Sequence, residues 1–478
     1  MTPSRMQRST LGGRAAEARV ARFVVPATLV LGIVLAYAAH QLATAIGVGT
    51  GFTAKVVCSL HFNSGLEPDD LMRGYVDAEL GGFGPVMRVD VDAASVTARG
   101  PFGVRSRAVY RPGHGCTLLA GRPESAIAPA ADYERFPVDI LTHYYGADPK
   151  SGPDAVEAAI DAAFAEPAEA GRQRHTTAVV VLHQGKLIAE RYAADYGRDV
   201  PMLSWSMAKS VLAALVGALV QDGRLDLHAP APVSEWATPG DPRGAITLDM
   251  LLRQSSGLAF DETYGALNDV SRMLFTAPDT GAFAARQPLQ HPPDSVWSYS
   301  SGTSNIVARI AADELQRSPD VLAAFAREEL FEPCQIRSAF FEPDASGTPI
   351  GSSFAFMTAL DWARFGELHR NDGVCGKQRV LPGGWVDYVT TPTPAAPQGR
   401  YGAHWWLNAG SASDAGDRPW PELPADMYAA MGHSGQWVVV VPSAELVVVR
   451  LGLSQPDDAN DGTVELVAAL IDELGGRP

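Results

Sequence analysis

Between Arg22 and Lys55 the chain carries no Asp, Glu, Lys or Arg. The first part of that interval, Phe23–Ala39, is almost wholly apolar, and the apolar character continues less strongly to about Val48. A membrane-spanning helix needs roughly 20 mostly apolar residues, so this stretch is long enough to cross a bilayer. Before it stand Arg5, Arg8, Arg14, Arg19 and Arg22 against one acid, Glu17. A basic flank of this kind stays in the cytoplasm, which puts everything after Val48 on the far side. The expected organisation is a basic tail at 1–22, a transmembrane signal anchor at 23–48, an exported extension at 49–150 and a main domain at 151–478. A cleavable signal peptide ending at Ala43-Thr44-Ala45 is the alternative, and it exports the body equally. A buried core helix is a third reading, although such a helix in a soluble protein should show a polar face.

Export gives the four cysteines a meaning. Cys58 and Cys116 lie in the N-terminal third, and Cys334 and Cys375 in the C-terminal half. Proximity along the chain favours the bridges Cys58–Cys116 and Cys334–Cys375, with free buried thiols as the alternative. No CxxC or HxxxH accompanies them, so no metal site is expected. The 478 residues suggest two or three structural units, and 46% hydrophobic with 19% charged side chains excludes a disordered chain. The formal net charge of −16 and the absence of any Lys/Arg-rich run argue against a nucleic-acid partner.

The main domain reads as strands at both ends with helices between. Ala155–Glu166 is Ala-rich and helical. Thr177–His183, a Gln184-Gly185 turn and Leu187–Tyr192 form a hairpin. A long helix runs from Met207 to about Gln221 and stops at Asp222-Gly223. Trp437–Val441 and Leu446–Leu451 make a second hairpin, followed by a helix over Val464–Leu474. The expected fold class is mixed α/β (α+β): one antiparallel sheet flanked by the terminal helices, with a helical subdomain inserted. The extension at 49–150 reads as irregular, with strand-like stretches at 86–91 and 108–110.

Three short segments carry chemistry. In Leu203-Ser-Trp-Ser-Met-Ala-Lys209, Ser204 is a candidate N-cap, which places Ser206 in the first helical turn and Lys209 on the same face. A serine hydroxyl becomes a nucleophile once a base removes its proton, and a lysine of lowered pKa can serve. Alone, this spacing fits a capped helix with a surface lysine equally well. Downstream, Trp297-Ser-Tyr-Ser-Ser-Gly302 sets Tyr299 and clustered hydroxyls, including Ser301, at a loop-to-helix junction, where a tyrosine can shuttle protons. Finally, Gly432-His433-Ser434-Gly435-Gln436 runs into a strand; Gly435 would admit a substrate backbone, and the amide of Gln436 could complete an oxyanion hole.

The order SxxK, Tyr-x-Ser, His-x-Gly resembles the serine β-lactamase and penicillin-binding protein superfamily, and most of all its class C-like esterase branch, which includes the 6-aminohexanoate-dimer hydrolases. Leu251–Leu258, Pro349–Phe354, Asp361–Gly366, Tyr401–Trp406 and Val441–Leu451 are similar to that branch too, so the resemblance spans roughly residues 155–475. It implies Ser206 as the acylated nucleophile, Lys209 as its base and Tyr299 as the proton shuttle. The backbone amides of Ser206 and Gln436 would form the oxyanion hole, and Ser301, His433, Ser434 and Gly435 would line the substrate site. No cofactor is implied. Two departures stand out: Ser301 replaces the Asn of Tyr-x-Asn, and His433-Ser434-Gly435 replaces Lys-Thr-Gly, which disfavours β-lactams. The extension looks like that of membrane-anchored bacterial members, which implies a single-pass inner-membrane protein with a periplasmic body. The expected activity is cleavage of small esters, linear amides or short peptides through an acyl-enzyme. A D,D-peptidase or β-lactamase is the rival enzyme, and a non-catalytic wall-binding or sensor module the rival of another class. The chain has no G-x-S-x-G, H-E-x-x-H, Walker A or G-x-G-x-x-G pattern.

Overall fold

The computed structural model describes residues 11–127, 154–169, 172–411, 413–414, 416–455 and 461–475, with side chains from Val30 onward. The first ten residues of the basic tail and the end of the expected extension, 128–150, lie outside the described residues.

The apolar run forms a helix, α1 (Leu11–Ser64), that does not end at Val48. Val30, Leu31, Ile33, Val34, Leu35, Tyr37 and Leu42 are all exposed, whereas Phe52, Ala54, Val56, Val57 and Leu60 are buried. One helix therefore exposes apolar side chains from Val30 to Leu42 and buries them from Phe52 to Leu60. The boundary placed at Val48 falls inside it. Among the described residues this is the one helix long and apolar enough to cross a membrane.

The extension is not irregular after α1. It holds an antiparallel sheet of β1 (Arg88–Asp92), β2 (Ser95–Arg99), β3 (Arg105–Arg111) and β4 (Gly115–Leu118), in that order, with β2, β3 and β4 against α1. The main domain then runs through α2 (Asp154–Phe164), β5 (Thr176–His183), β6 (Lys186–Tyr192), α3 (Ala208–Gln221), α4 (Asp269–Thr276), α5 (Ser301–Glu314), α6 (Ala359–Arg370), β7 (Trp406–Leu407), β8 (Tyr428–Gly432), β9 (Gln436–Val441), β10 (Leu446–Gly452) and α7 (Thr463–Glu473). Its sheet has the order β7-β8-β9-β10-β5-β6 and is antiparallel throughout. The valine-rich strands are buried on both faces. Val179, Val181, Val439, Val441 and Val448 face the terminal helices α2 and α7, while Val180, Val438, Val440, Val447 and Val449 face the larger core with α6. Period-two alternation sends neighbouring valines to opposite sides, so continuous apolar strands fit a sheet covered by helices twice.

The extension is fastened to the main domain by polar groups as well as by apolar packing. Lys55, Ser59 and Asn63 are spaced by four on α1 and share a face. All three reach Glu342: Lys55 Nζ donates to Oε2 at 2.6 Å, Ser59 Oγ to Oε2 at 2.7 Å and Asn63 Nδ2 to Oε1 at 2.7 Å. The amide of Cys116 donates to Oε1 at 2.6 Å, and Lys55 also bonds the Cys116 carbonyl. Both ion-pair side chains are wholly buried. The sulfurs pair as Cys58–Cys116 and Cys334–Cys375, the pairing favoured by chain proximity. Removing one member of a buried, hydrogen-bonded pair costs about 3–5 kcal/mol, because the other is left buried and unmatched. Glu342→Ala should lower the urea midpoint accordingly, and adding Lys55→Met should recover part of the loss; strictly additive destabilisation would show that the two side chains are not coupled.

Candidate active site

Ser206 lies in a 3₁₀ turn, Trp205–Met207, that leads into α3. Ser204 does not cap this helix with its side chain. It already has helical φ/ψ (−74°, −27°), and its buried hydroxyl donates to the Trp205 carbonyl at 2.8 Å and accepts from the Ala355 amide at 3.1 Å. An N-cap needs an extended residue, so Ser204 serves instead to stitch the turn to the neighbouring strand. Trp205 is held at φ +44°, a conformation costing about 1–3 kcal/mol for a non-glycine residue. Its indole is fixed by a 3.0 Å bond to the hydroxyl of Tyr75, a residue of the extension.

One turn later, Lys209 is almost wholly buried. Its Nζ donates to Ser206 Oγ at 3.0 Å, to Ser301 Oγ at 3.0 Å and to the Ser352 carbonyl at 3.1 Å. An ammonium has three N–H groups, and each has an acceptor here. The Tyr299 ring centroid lies 4.7 Å from the same nitrogen, within cation–π range. Burial pulls the Lys209 pKa down to about 8, against the opposing influence of Glu262. A lysine titrating there is part-neutral near pH 8, and its lone pair can then accept the Ser206 proton across the bond already formed.

Glu262 carries no motif and escaped the sequence reading. Its carboxylate accepts from the Ser301 amide at 2.6 Å and from the Ser301 hydroxyl at 2.5 Å. Ser301 is the first residue of α5, where the helix N-terminus favours an anion. Burial raises the Glu262 pKa while Lys209 lowers it. Ser301 is thus a relay: it accepts from Lys209 and donates to Glu262. The loop carrying Tyr299 is held by Gln254, whose Oε1 accepts from the Ser300 amide at 2.8 Å and whose carbonyl accepts from the Ser298 amide at 2.9 Å. Behind Lys209, buried His404 bridges the Lys209 carbonyl at 3.0 Å and Ser304 Oγ at 3.1 Å. Burial lowers its pKa to about 3, so it remains neutral and holds the lysine backbone.

The third segment differs most from expectation. Ser206, Tyr299, His433 and Gly435 line one open cavity of about 250 Å3 together with Glu262 and Tyr264. The close approach to the Ser206 turn is made by Gly432, however, not by Gly435. A Cβ on Gly432 would sit 2.2 Å from the Ser204 carbonyl and 3.1 Å from the Ser206 amide. Gly435 has φ +79°, and a Cβ there would strike Arg450, whose Nη1 donates to the Gly435 carbonyl at 2.7 Å. Gln436 stands across the turn as the register partner of Gly432, and its buried side chain ties the turn together by bonding the His433, Ser434 and Gly452 carbonyls. The backbone beside the Ser206 amide is therefore that of Gly432 leading to His433. Ser434, at φ +62°, is buried 3.3 Å from Tyr75 OH and donates to Glu79 at 3.4 Å.

His433 Nε2 lies 2.9 Å from Glu79 Oε2, and Gln455 donates to the other oxygen at 2.6 Å. Its ring stacks on Tyr264 (centroids 5.2 Å, planes 20° apart) and meets Trp205 edge-on. The Glu79 carboxylate thus stands directly against the His433 ring nitrogen. The extension therefore contributes Tyr75 and Glu79 to the site, which nothing in the sequence spacing signalled.

The β-lactamase family profile matches residues 160–471. The 6-aminohexanoate-dimer hydrolase of Paenarthrobacter ureafaciens is 24% identical over 311 residues, covering 59% of this chain and 73% of that protein. A family VIII carboxylesterase superposes with a TM-score of 0.51 at 14% identity, over 67% of this chain and 98% of its own. The hydrolase EstCE1, described as having promiscuous acyltransferase activity, superposes with a TM-score of 0.51 at 16% identity, over 66% and 96%. With antiparallel sheet, terminal helices and inserted helical subdomain all in place, this chain belongs to the β-lactamase family, and the relatives it matches are named as hydrolases.

Proposed function

We propose that the protein cleaves esters or linear amides through an acyl-enzyme formed on Ser206. The observation that carries this reading is the 3.0 Å contact from buried Lys209 Nζ to Ser206 Oγ, on a lysine whose pKa burial brings to about 8. Neutral Lys209 takes the hydroxyl proton as Ser206 Oγ attacks the carbonyl carbon, and the oxyanion is met by the amides of Ser206 and of the Gly432–His433 segment. Tyr299, over Lys209, passes the proton to the departing alkoxide or amine. Water then enters, gives its proton back along the same groups and releases the acid. Ser301 and Glu262 hold the lysine in position. The relative named as a 6-aminohexanoate-dimer hydrolase supports a linear amide; the carboxylesterase neighbour supports an ester.

In the same reading the protein is anchored by the apolar run that includes the exposed stretch Val30–Leu42 of α1, with its body exported. The five arginines before the apolar run and the two sulfur pairs beyond it support that orientation. A C-terminal reporter active only in the cytoplasm would refute it.

Ser206→Ala should abolish both turnover and covalent labelling by a fluorophosphonate while preserving the far-UV spectrum. Lys209→Ala should be nearly as severe, since groups acting as one unit are not additive. Labelling retained in Ser206→Ala removes the assignment.

Because the neutral amine is the reactive form, kcat/KM for p-nitrophenyl butyrate should rise through an inflection near pH 8. Glu262 favours the charged lysine, so Glu262→Gln should move that inflection to lower pH; a shift upward would contradict the arrangement.

His433 stands where a lysine would offer a cation to a substrate carboxylate, and its Nε2 already faces the carboxylate of Glu79 at 2.9 Å. Penicillin hydrolysis should be weak beside ester hydrolysis. Losing a charge-assisted bond is worth about 1.5–3 kcal/mol, or roughly one to two decades in rate. Glu79→Gln combined with His433→Lys should raise the penicillin-to-ester ratio by about tenfold or more, and efficient penicillin turnover by the parent at pH 8 would overturn the charge argument.

A further inference from the structure

A second cavity, of about 440 Å3, lies beside the first and is lined almost entirely by apolar side chains, among them Ile46 and Phe52 of α1, Leu80 and Phe83 of the extension, and Phe275 of α4. Phe52 and Phe275 meet edge-on at 5.2 Å between centroids and form its floor. Its one carboxylate, Glu79, is already engaged by His433 and Gln455. Two features connect it to the Ser206 cavity. Tyr264 lines both. Glu79 on one side is bonded to His433 on the other. Tyr264 is 41% exposed, so the partition between the two spaces is in part a single solvent-facing ring. On its other side the cavity opens on the face of α1 that continues, through Leu42, into the exposed apolar residues Val30–Tyr37. Phe83, Val86 and Phe102, 67%, 51% and 85% exposed, stand around its mouth.

A cavity with apolar walls, a reacting group at one end and an apolar helix face at the other fits a linear hydrocarbon chain with its polar group towards Ser206. We propose that this cavity is the chain-binding subsite for an amphiphilic ester or amide. The substrate's alkyl or acyl tail lies against Ile46, Phe52 and Phe275 while its carbonyl reaches Ser206 past Tyr264. This deepens the acyl-enzyme reading and rests on it. The substrate class is a single-chain lipid-like ester or amide, delivered along the face of α1.

The test uses the full chain in phosphatidylcholine nanodiscs with p-nitrophenyl butyrate, octanoate and laurate. Each methylene placed in the cavity should raise kcat/KM by up to about fourfold. Ala45→Trp, which fills the cavity from α1, should lower the laurate-to-butyrate ratio at least tenfold. A flat or falling chain-length profile in the parent overturns the proposal, as does an unchanged ratio in the variant. A second readout needs no turnover: Ser206→Ala protein is photolabelled with a diazirine-bearing dodecanoate. Adducts on the peptides holding Phe83 and Tyr264 support the subsite, and adducts confined to residues 30–42 overturn it. If those cavity adducts form while no ester is cleaved by the parent, the acyl-enzyme reading fails and the chain subsite stands.

Discussion

An ammonium group taken out of water must find three acceptors or yield its proton, and this molecule faces that demand twice. Of its five lysines, Lys55 and Lys209 are wholly or almost wholly buried. Lys55 meets a full carboxylate directly, and the result is a fastening between extension and main domain. Lys209 meets only neutral oxygens, two hydroxyls and a carbonyl, with its nearest carboxylate one residue removed behind Ser301. The same residue type is structural in one setting and chemically poised in the other. What differs is whether the counter-charge touches the nitrogen or stands one hydroxyl away.

The extension reaches the Ser206 cavity as well as continuing the apolar helix. Tyr75 fixes the indole of Trp205, the residue immediately before Ser206, and Glu79 bonds His433 at the cavity wall. The Glu342 fastening therefore does more than hold two pieces together. It sets the distance from the apolar helix to the serine, since α1 enters the body as the same unbroken helix. Charge follows the same logic. A carboxylate supplied from outside the main domain stands against His433 on the wall of that domain's cavity.

Much of this was legible in the sequence. The hairpins at 177–192 and 437–451 came from β-branched runs ended by turns, and the structure has them within a residue or two. Ser206 and Lys209 stood out because a shared helical face imposes their spacing, and Tyr299 because it stands among hydroxyls just before α5; the structure brings the three side chains together. Glu262, Glu79 and Tyr75 were invisible for the opposite reason: each acts through a tertiary contact across 39 to 359 residues, and no local period records it. The helix past Val48 was missed because the apolar run weakens there, among Gly47, Gly49 and Gly51. In the fold they permit closeness, as Gly51 does against the Phe275 backbone. Gly432 went unnoticed because a motif shows that a small residue is needed nearby but not that the Ser204 carbonyl crowds this one.

The partners that close this fold are far apart in order of synthesis. Strand β5 ends at His183, yet its neighbour β10 begins at Leu446, and Lys55 waits for a carboxylate 287 positions later. A nascent chain thus emerges with the edge of β5 unpaired and an ammonium without its counter-ion until most of the protein has followed. Long-range pairing of this kind folds slowly and exposes sticky strand edges meanwhile. The N-terminal third should have no stable existence as a fragment, and completion of the last hairpin should be the event that commits the whole chain to its native state.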